Sequence, residues 1–119
     1  MIRYILAVLS VFVFVSTACA EEDVNSGNYV LEGCQALADS NRLSQNNLMK
    51  VGVCAGAITA VSDIMTARKA MCLPQGVTHQ QSAMVVSKYM LNHPEELNEG
   101  YTMLIAQAFH DAWPCKAEK

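Results

Sequence analysis

The sequence predicts an all-α protein: a small four-helix up-down bundle stapled by two disulfides, following a cleaved signal peptide. Three observations carry this expectation. Apolar residues recur at spacings of three and four through most of the chain, and no segment alternates with period two for long enough to make a strand. The helical segments are joined by short connections, which favour antiparallel neighbours. An export-like leader precedes four of the five cysteines, and an even cysteine count in an exported chain of this size reads as a disulfide framework. The length of 119 residues fits one domain. With 52% apolar and 16% charged residues the chain is not disordered, and a net charge of -3 without a basic run argues against nucleic acid as the main partner.

The leader occupies residues 1–20. Residues 1–4 carry one positive charge, residues 5–15 are apolar apart from Ser10, and Ala18-Cys19-Ala20 precedes the acidic Glu21-Glu22-Asp23. This is the pattern of a secretory signal cleaved after Ala20, with an apolar run too short to span a bilayer. A lipoprotein reading with Cys19 acylated is the weaker one, because such boxes carry Leu or Val where Ser16 stands. Cleavage removes one basic group, Arg3, and leaves 99 residues with 7 basic and 11 acidic groups.

Residues 21–27 form an acidic lead, and residues 28–115 form the helical domain. The first helix is read over residues 28–39, from Val30, Leu31, Cys34, Leu37 and Ala38. Ser40-Asn41-Arg42 breaks it, and Ser44 is positioned to cap the next. In that second helix Leu48, Val51, Ala55, Ile58, Ser62 and Met65 make one stripe, and Val53, Cys54, Ala57, Val61 and Ile64 make another. A helix apolar on two faces is expected at the centre of the bundle. Its Gly52, Ala55, Gly56 and Ala60 keep it thin, which suits close soluble packing better than membrane dimerisation. Cys72-Leu73-Pro74-Gln75-Gly76 stops it and turns. Thr78 and Gln81 match a capping box for the third helix, whose buried stripe is Val85, Val86, Tyr89 and Met90. Asn92-His93-Pro94 ends that helix, and Pro94 also suits the first position of a fourth, with Glu95 and Glu96 near its positive end. Leu97, Tyr101, Leu104, Ile105, Ala108 and Phe109 continue it to Trp113-Pro114-Cys115. Residues 116–119 are a polar tail.

An up-down order ranks the three pairings open to four cysteines. Residue 44, midway between Cys34 and Cys54, falls in the first turn, so those two face each other at similar height. Cys72 and Cys115 end the second and fourth helices, which puts them at one pole. Cys54 and Cys72 lie about 27 Å apart along a helix, whereas a disulfide needs Cα atoms within about 7 Å. The expected bridges are therefore Cys34–Cys54 and Cys72–Cys115.

Oxidised cysteines leave no thiol nucleophile for a Cys-His hydrolase. Asp63 reads as a boundary residue rather than a catalytic acid, since no second carboxylate has a geometric claim to work with it. His79, His93 and His110 are scattered over a cap, a turn and a helix end, so no shared metal site is expected. Met65, Met84, Met90 and Met103 stand at helical spacing and are read as core filler rather than copper ligands. Neither a phosphate loop nor a zinc spacing is present, so no catalytic residue, metal or cofactor is expected.

These motifs collect into a resemblance. Cys34, Cys54-Ala55-Gly56-Ala57-Ile58 with Asp63, Cys72-Leu73-Pro74-Gln75-Gly76-Val77-Thr78 with Gln81, Val85-Val86-x-x-Tyr89, His93-Pro94-Glu95 and Trp113-Pro114-Cys115 together resemble the Rap/Tai immunity proteins (Rap1a-like domain) of bacterial type VI secretion. The resemblance covers residues 29–115. It implies a helical, non-enzymatic periplasmic protein of a Gram-negative bacterium, which inhibits a toxin delivered by a neighbouring cell. The best-known targets of the family are peptidoglycan amidases, which such inhibitors plug at the cleft, and related proteins form homodimers. Two exposed turns are the expected contacts: Leu73, Gln75 and Val77 in one, and Asn92, His93, Glu95 and Glu96 in the other. Stable membrane insertion is not expected. A helical periplasmic chaperone or acid-stress binder is the alternative, and a cavity lined by Met65, Tyr89 and Met103 would instead favour a small-ligand carrier.

Overall fold

A computed structural model describes residues 21–116. The leader, with Cys19 and the cleavage position, and the last three residues of the tail lie outside the described residues. Four helices follow in order: α1 (Gly27–Ala38), α2 (Leu48–Ala67), α3 (His79–Asn92) and α4 (Tyr101–Ala112). One-turn 3-10 helices at Ser40–Arg42, Gln45–Asn47 and Pro94–Glu96 lie between them. Both expected disulfides are present, with Cα separations of 5.3 Å for Cys34–Cys54 and 4.8 Å for Cys72–Cys115.

The pairing is right although the up-down order behind it is not. Along the seam between α1 and α2 the residue numbers climb together: Gly33 lies against Lys50 and Val51, and Cys34 is bonded to Cys54. The Gln80 side-chain amide then donates to the Ala38 carbonyl while its neighbour His79 meets Thr59. The two helices therefore run in the same general sense. The connector over residues 39–47 makes this feasible. Its nine residues reach up to about 30 Å when extended, more than the roughly 18 Å length of α1. Asn47 folds the connector, accepting from the Ser44 N–H and donating to the Arg42 carbonyl. Helix α3 runs back against α1, since Leu97, beyond its end, accepts from the Asn28 N–H at the start of α1. Helix α4 starts beside α1 at the Ser26–Gly100 bridge and ends beside Cys72, whose N–H donates to the Trp113 carbonyl.

The core is built from Val30 and Cys34 of α1, Cys54, Ile58 and Met65 of α2, Ala83, Val86 and Met90 of α3, and Leu104, Ile105, Ala108 and Phe109 of α4, with Met71 from the connector. Helix α2 is not central, contrary to the two-stripe reading. Leu48, Met49 and Ile64 stay exposed, and only one side of the helix is covered. By length and composition Gln45–Ala67 would suffice to cross a membrane, yet its inner side is part of the common core and its Cys54 is bonded to α1. Of the four methionines read as filler, Met65 and Met90 are buried, whereas Met84 and Met103 are exposed. Asp63 is exposed, as a boundary residue should be.

Two helix ends also differ from expectation. Helix α2 stops at Ala67 rather than at Cys72. Lys69 adopts φ 57°, with Lys69 N–H donating to the Thr66 carbonyl and Ala70 N–H to the Met65 carbonyl. That is a Schellman stop, usually made by glycine, so no glycine signalled it. Pro94 opens only the single 3-10 turn. Helix α4 starts at Tyr101 because the backbone of residues 97–101 bonds to residues 25–28: Gly27 N–H to the Glu99 carbonyl, Asn28 N–H to the Leu97 carbonyl and Tyr101 N–H to the Asn25 carbonyl.

At the seam between α1 and α2 the close-packed glycine is Gly33, where a Cβ would collide with the Lys50 backbone; a Cβ at Gly52 or Gly56 meets nothing within 4 Å. Gly33→Ala should therefore cost about 1–3 kcal/mol. Gly52→Ala and Gly56→Ala should each raise stability by about 0.5–1 kcal/mol. Urea unfolding of the oxidised protein measures all three.

Candidate docking site on α3 and the turn that follows

Helix α3 is fixed at its start by Thr78, whose hydroxyl accepts from the Gln81 N–H, the cap half of the expected box. It buries Ser82, Ala83, Val86, Ser87 and Met90. Its outer side carries Met84, Lys88 and Leu91, all exposed, which makes a ridge between two grooves. On the α1 side a groove of about 420 Å³ is lined by Gln35, Ala38 and Asp39, by Arg42 of the connector, and by Met84, Ser87, Lys88, Leu91 and Asn92 of α3. On the α4 side a smaller groove of about 270 Å³ runs from Val85 past Tyr89 and His93 to Ala108 and Asp111.

The ridge ends in the 92–96 turn, and local bonds hold that turn. The His93 N–H donates to the carbonyls of Tyr89 and Met90, the Glu96 N–H to the His93 carbonyl, and Pro94 has no donor to satisfy. The Tyr89 hydroxyl donates to Glu96 Oε2 at 2.7 Å, and the Tyr89 and His93 rings lie 4.4 Å apart, centre to centre. Burial and that carboxylate push the Tyr89 phenol up to about 12. His93 Nδ1 lies 3.2 Å from Glu95 Oε1. The backbone N–H of Glu95 and the His93 ring hold the Glu95 carboxyl below its ordinary range. Ligand atoms of His93, Glu95 and Glu96 lie within 4.8 Å of one another. The bonds to Tyr89 and within the His93–Glu95 pair account for that clustering.

The expected contact residues thus divide. Asn92, His93, Glu95 and Glu96 come together beside Tyr89. Leu73, Gln75 and Val77 sit at the opposite end, in the loop held by the Cys72–Cys115 bridge, where Gly76 takes φ 89°. Leu73 and Gln75 are exposed and Val77 is half-buried. The length of α3, about 20 Å, separates the two turns. The described cysteines are all in disulfides, so no thiol is offered among the described residues. The proposed carrier cavity is not formed either: Tyr89 and Met103 line a hollow with Glu96, Glu99, Leu104 and Gln107, without Met65.

Sequence reasoning missed the ridge itself and read Tyr89 only as part of a buried stripe or a cavity wall. The spacing of Met84, Lys88 and Leu91, four and three residues apart, marks a second α3 face and could have found it.

The Tyr89 shift has a definite sign. The fold favours the neutral phenol, so the contribution is whole below an unfolded value near 10 and is lost as pH rises through about 12. The difference in alkaline phenolate absorbance between the protein and Tyr89→Phe should therefore develop close to pH 12. A difference developing near pH 10 would contradict the half-buried bond to Glu96.

A family model described as Rap1a immunity proteins matches residues 26–115, which includes all four helices and both disulfides. No curated protein and no solved structure matches the chain.

Proposed function

The chain belongs to the Rap1a immunity-protein family, linked to type VI secretion, and on that premise we propose that it is exported, its leader cleaved after Ala20, and protects the periplasm. It binds a type VI secretion effector, a peptidoglycan amidase, and occludes the active-site cleft. It performs no chemistry of its own, in keeping with its family. The proposed boundaries are residues 1–20 removed, residues 21–27 a lead whose last two residues cap and open α1, residues 28–115 the binding domain and residues 116–119 a tail.

The observation that supports this reading most is the 92–96 turn. An inhibitor that fills a cleft needs a protruding segment already in its bound shape, because ordering on binding costs affinity. The turn is held in one shape: its backbone bonds to α3, the adjoining Leu97 carbonyl accepts from the Asn28 N–H, and its side chains are held by the Tyr89–Glu96 and His93–Glu95 pairs. Exposed Glu95 leads the turn and gives it the charge to enter a basic cleft. The loop with Leu73, Gln75 and Val77 is the secondary contact candidate. A homodimer belongs to the proposal as well, joined through the exposed apolar side of α2, where Leu48, Met49 and Ile64 face outward. The same apolar side favours the second reading, a periplasmic chaperone or acid-stress binder. Such a protein would suppress aggregation of unfolded clients at low pH.

The test uses a purified type VI secretion peptidoglycan amidase of the producing bacterium. The oxidised protein should abolish its cell-wall hydrolysis at equimolar ratio. Glu95→Lys should weaken inhibition by about 10–100-fold without lowering the melting temperature. Undiminished hydrolysis at excess inhibitor, combined with suppression of client aggregation in acid, would replace immunity with the chaperone reading.

A further inference from the structure

The groove between α1 and α3 has chemistry that the 92–96 turn does not use. At its floor Ser87 is only 7% exposed, and its Oγ has no hydrogen-bond partner. Buried hydroxyls are rarely left this way, and an orphaned one calls for a missing partner. The walls are apolar, made by Ala38, Met84 and Leu91, with Met84 56% and Leu91 55% exposed. The rim is cationic. Lys88 makes no ion pair among the described residues, and Arg42 holds Asp39 only loosely, at 3.9 Å. Asp39 lines the groove too, but its other oxygen accepts from the Asn41 N–H, so it is turned to its own loop. The cations here stand out in a chain with net charge -3.

We infer that this groove is a docking site for a short acidic segment of a partner protein, one carboxylate flanked by apolar side chains. The apolar side chains cover Met84 and Leu91, the carboxylate meets Lys88 and Arg42, and a polar group of the segment satisfies Ser87 Oγ. The groove is too open to enclose a small molecule but has the form of a track along one helix ridge. Asn92 lines the groove and also begins the 92–96 turn, so the two surfaces are continuous. A partner whose cleft accepts the turn lays its rim across the groove. That the partner is the effector rests on the reading above; the chemistry of the groove does not.

The test is a titration of the isotopically labelled, oxidised protein with three short synthetic peptides centred on Leu-Glu-Leu, Leu-Lys-Leu and Ser-Glu-Ser. The Leu-Glu-Leu peptide should give saturable amide shifts confined to residues 84–92 and the facing residues of α1. The other two should bind about tenfold more weakly, and added salt should weaken the first. Lys88→Glu, an exposed change that leaves the core untouched, should reverse the preference toward Leu-Lys-Leu. Ser87→Ala should weaken binding with the charge preference kept. Absence of saturable shifts, equal response to all three peptides, or an unchanged preference in Lys88→Glu would overturn the inference. No toxin enters this titration, so its failure leaves the immunity reading to its own inhibition assay, and failure of that assay leaves the groove standing.

Discussion

Helix α2 depends on two covalent bonds. It is the longest helix, 20 residues, yet it buries only Cys54, Ile58 and Met65. One disulfide ties its middle to α1, and the other ties the connector just beyond its end to the end of α4. On the chain-entropy model, loops of 20 and 43 residues give roughly 3 and 4 kcal/mol, large against the stability of about 5–15 kcal/mol expected of a small domain. Helix α3 has the opposite arrangement. No disulfide touches it, and packing against α1 and α4 holds it. Stapling one side of the bundle lets the other side carry an exposed ridge and a fixed turn without loss of the fold.

The same division separates what was legible in the sequence from what was not. Helical periodicity marked all four helices, because Val30, Cys34, Ile58, Val86, Met90, Ile105 and Phe109 are buried where their spacing put them. The cysteine pairs were legible too, although the argument for Cys34–Cys54 assumed a hairpin. A connector of nine residues can either turn or carry the chain back, and periodicity does not distinguish these. Helix α2 misled for a related reason. Apolar residues on two faces read as central burial, whereas Met49 and Ile64 face outward. Its stop was hidden because Lys69 occupies the left-handed position glycine would have marked.

At the candidate site, turn chemistry puts forward Asn92, His93, Glu95 and Glu96, and the structure gathers the four in one turn beside Tyr89. Turn chemistry did not show that Leu73, Gln75 and Val77 lie at the other end, which depends on how the helices are threaded. Tyr89 was assigned to the core from its stripe, and its ring does pack there. Its hydroxyl emerges at the turn and bonds Glu96, a double role that a stripe does not reveal. Family membership supplies the link to type VI immunity, and the bonded turn and the adjoining groove are where we propose that the contact lies.

Hydrogen exchange of the oxidised protein, with and without a type VI secretion peptidoglycan amidase, tests this proposed location most directly. The account requires new protection concentrated in residues 84–96, with the outer side of α2 and the 73–77 loop little changed. Protection centred on α2 or on the 73–77 loop, with residues 84–96 exchanging as in the free protein, would contradict it.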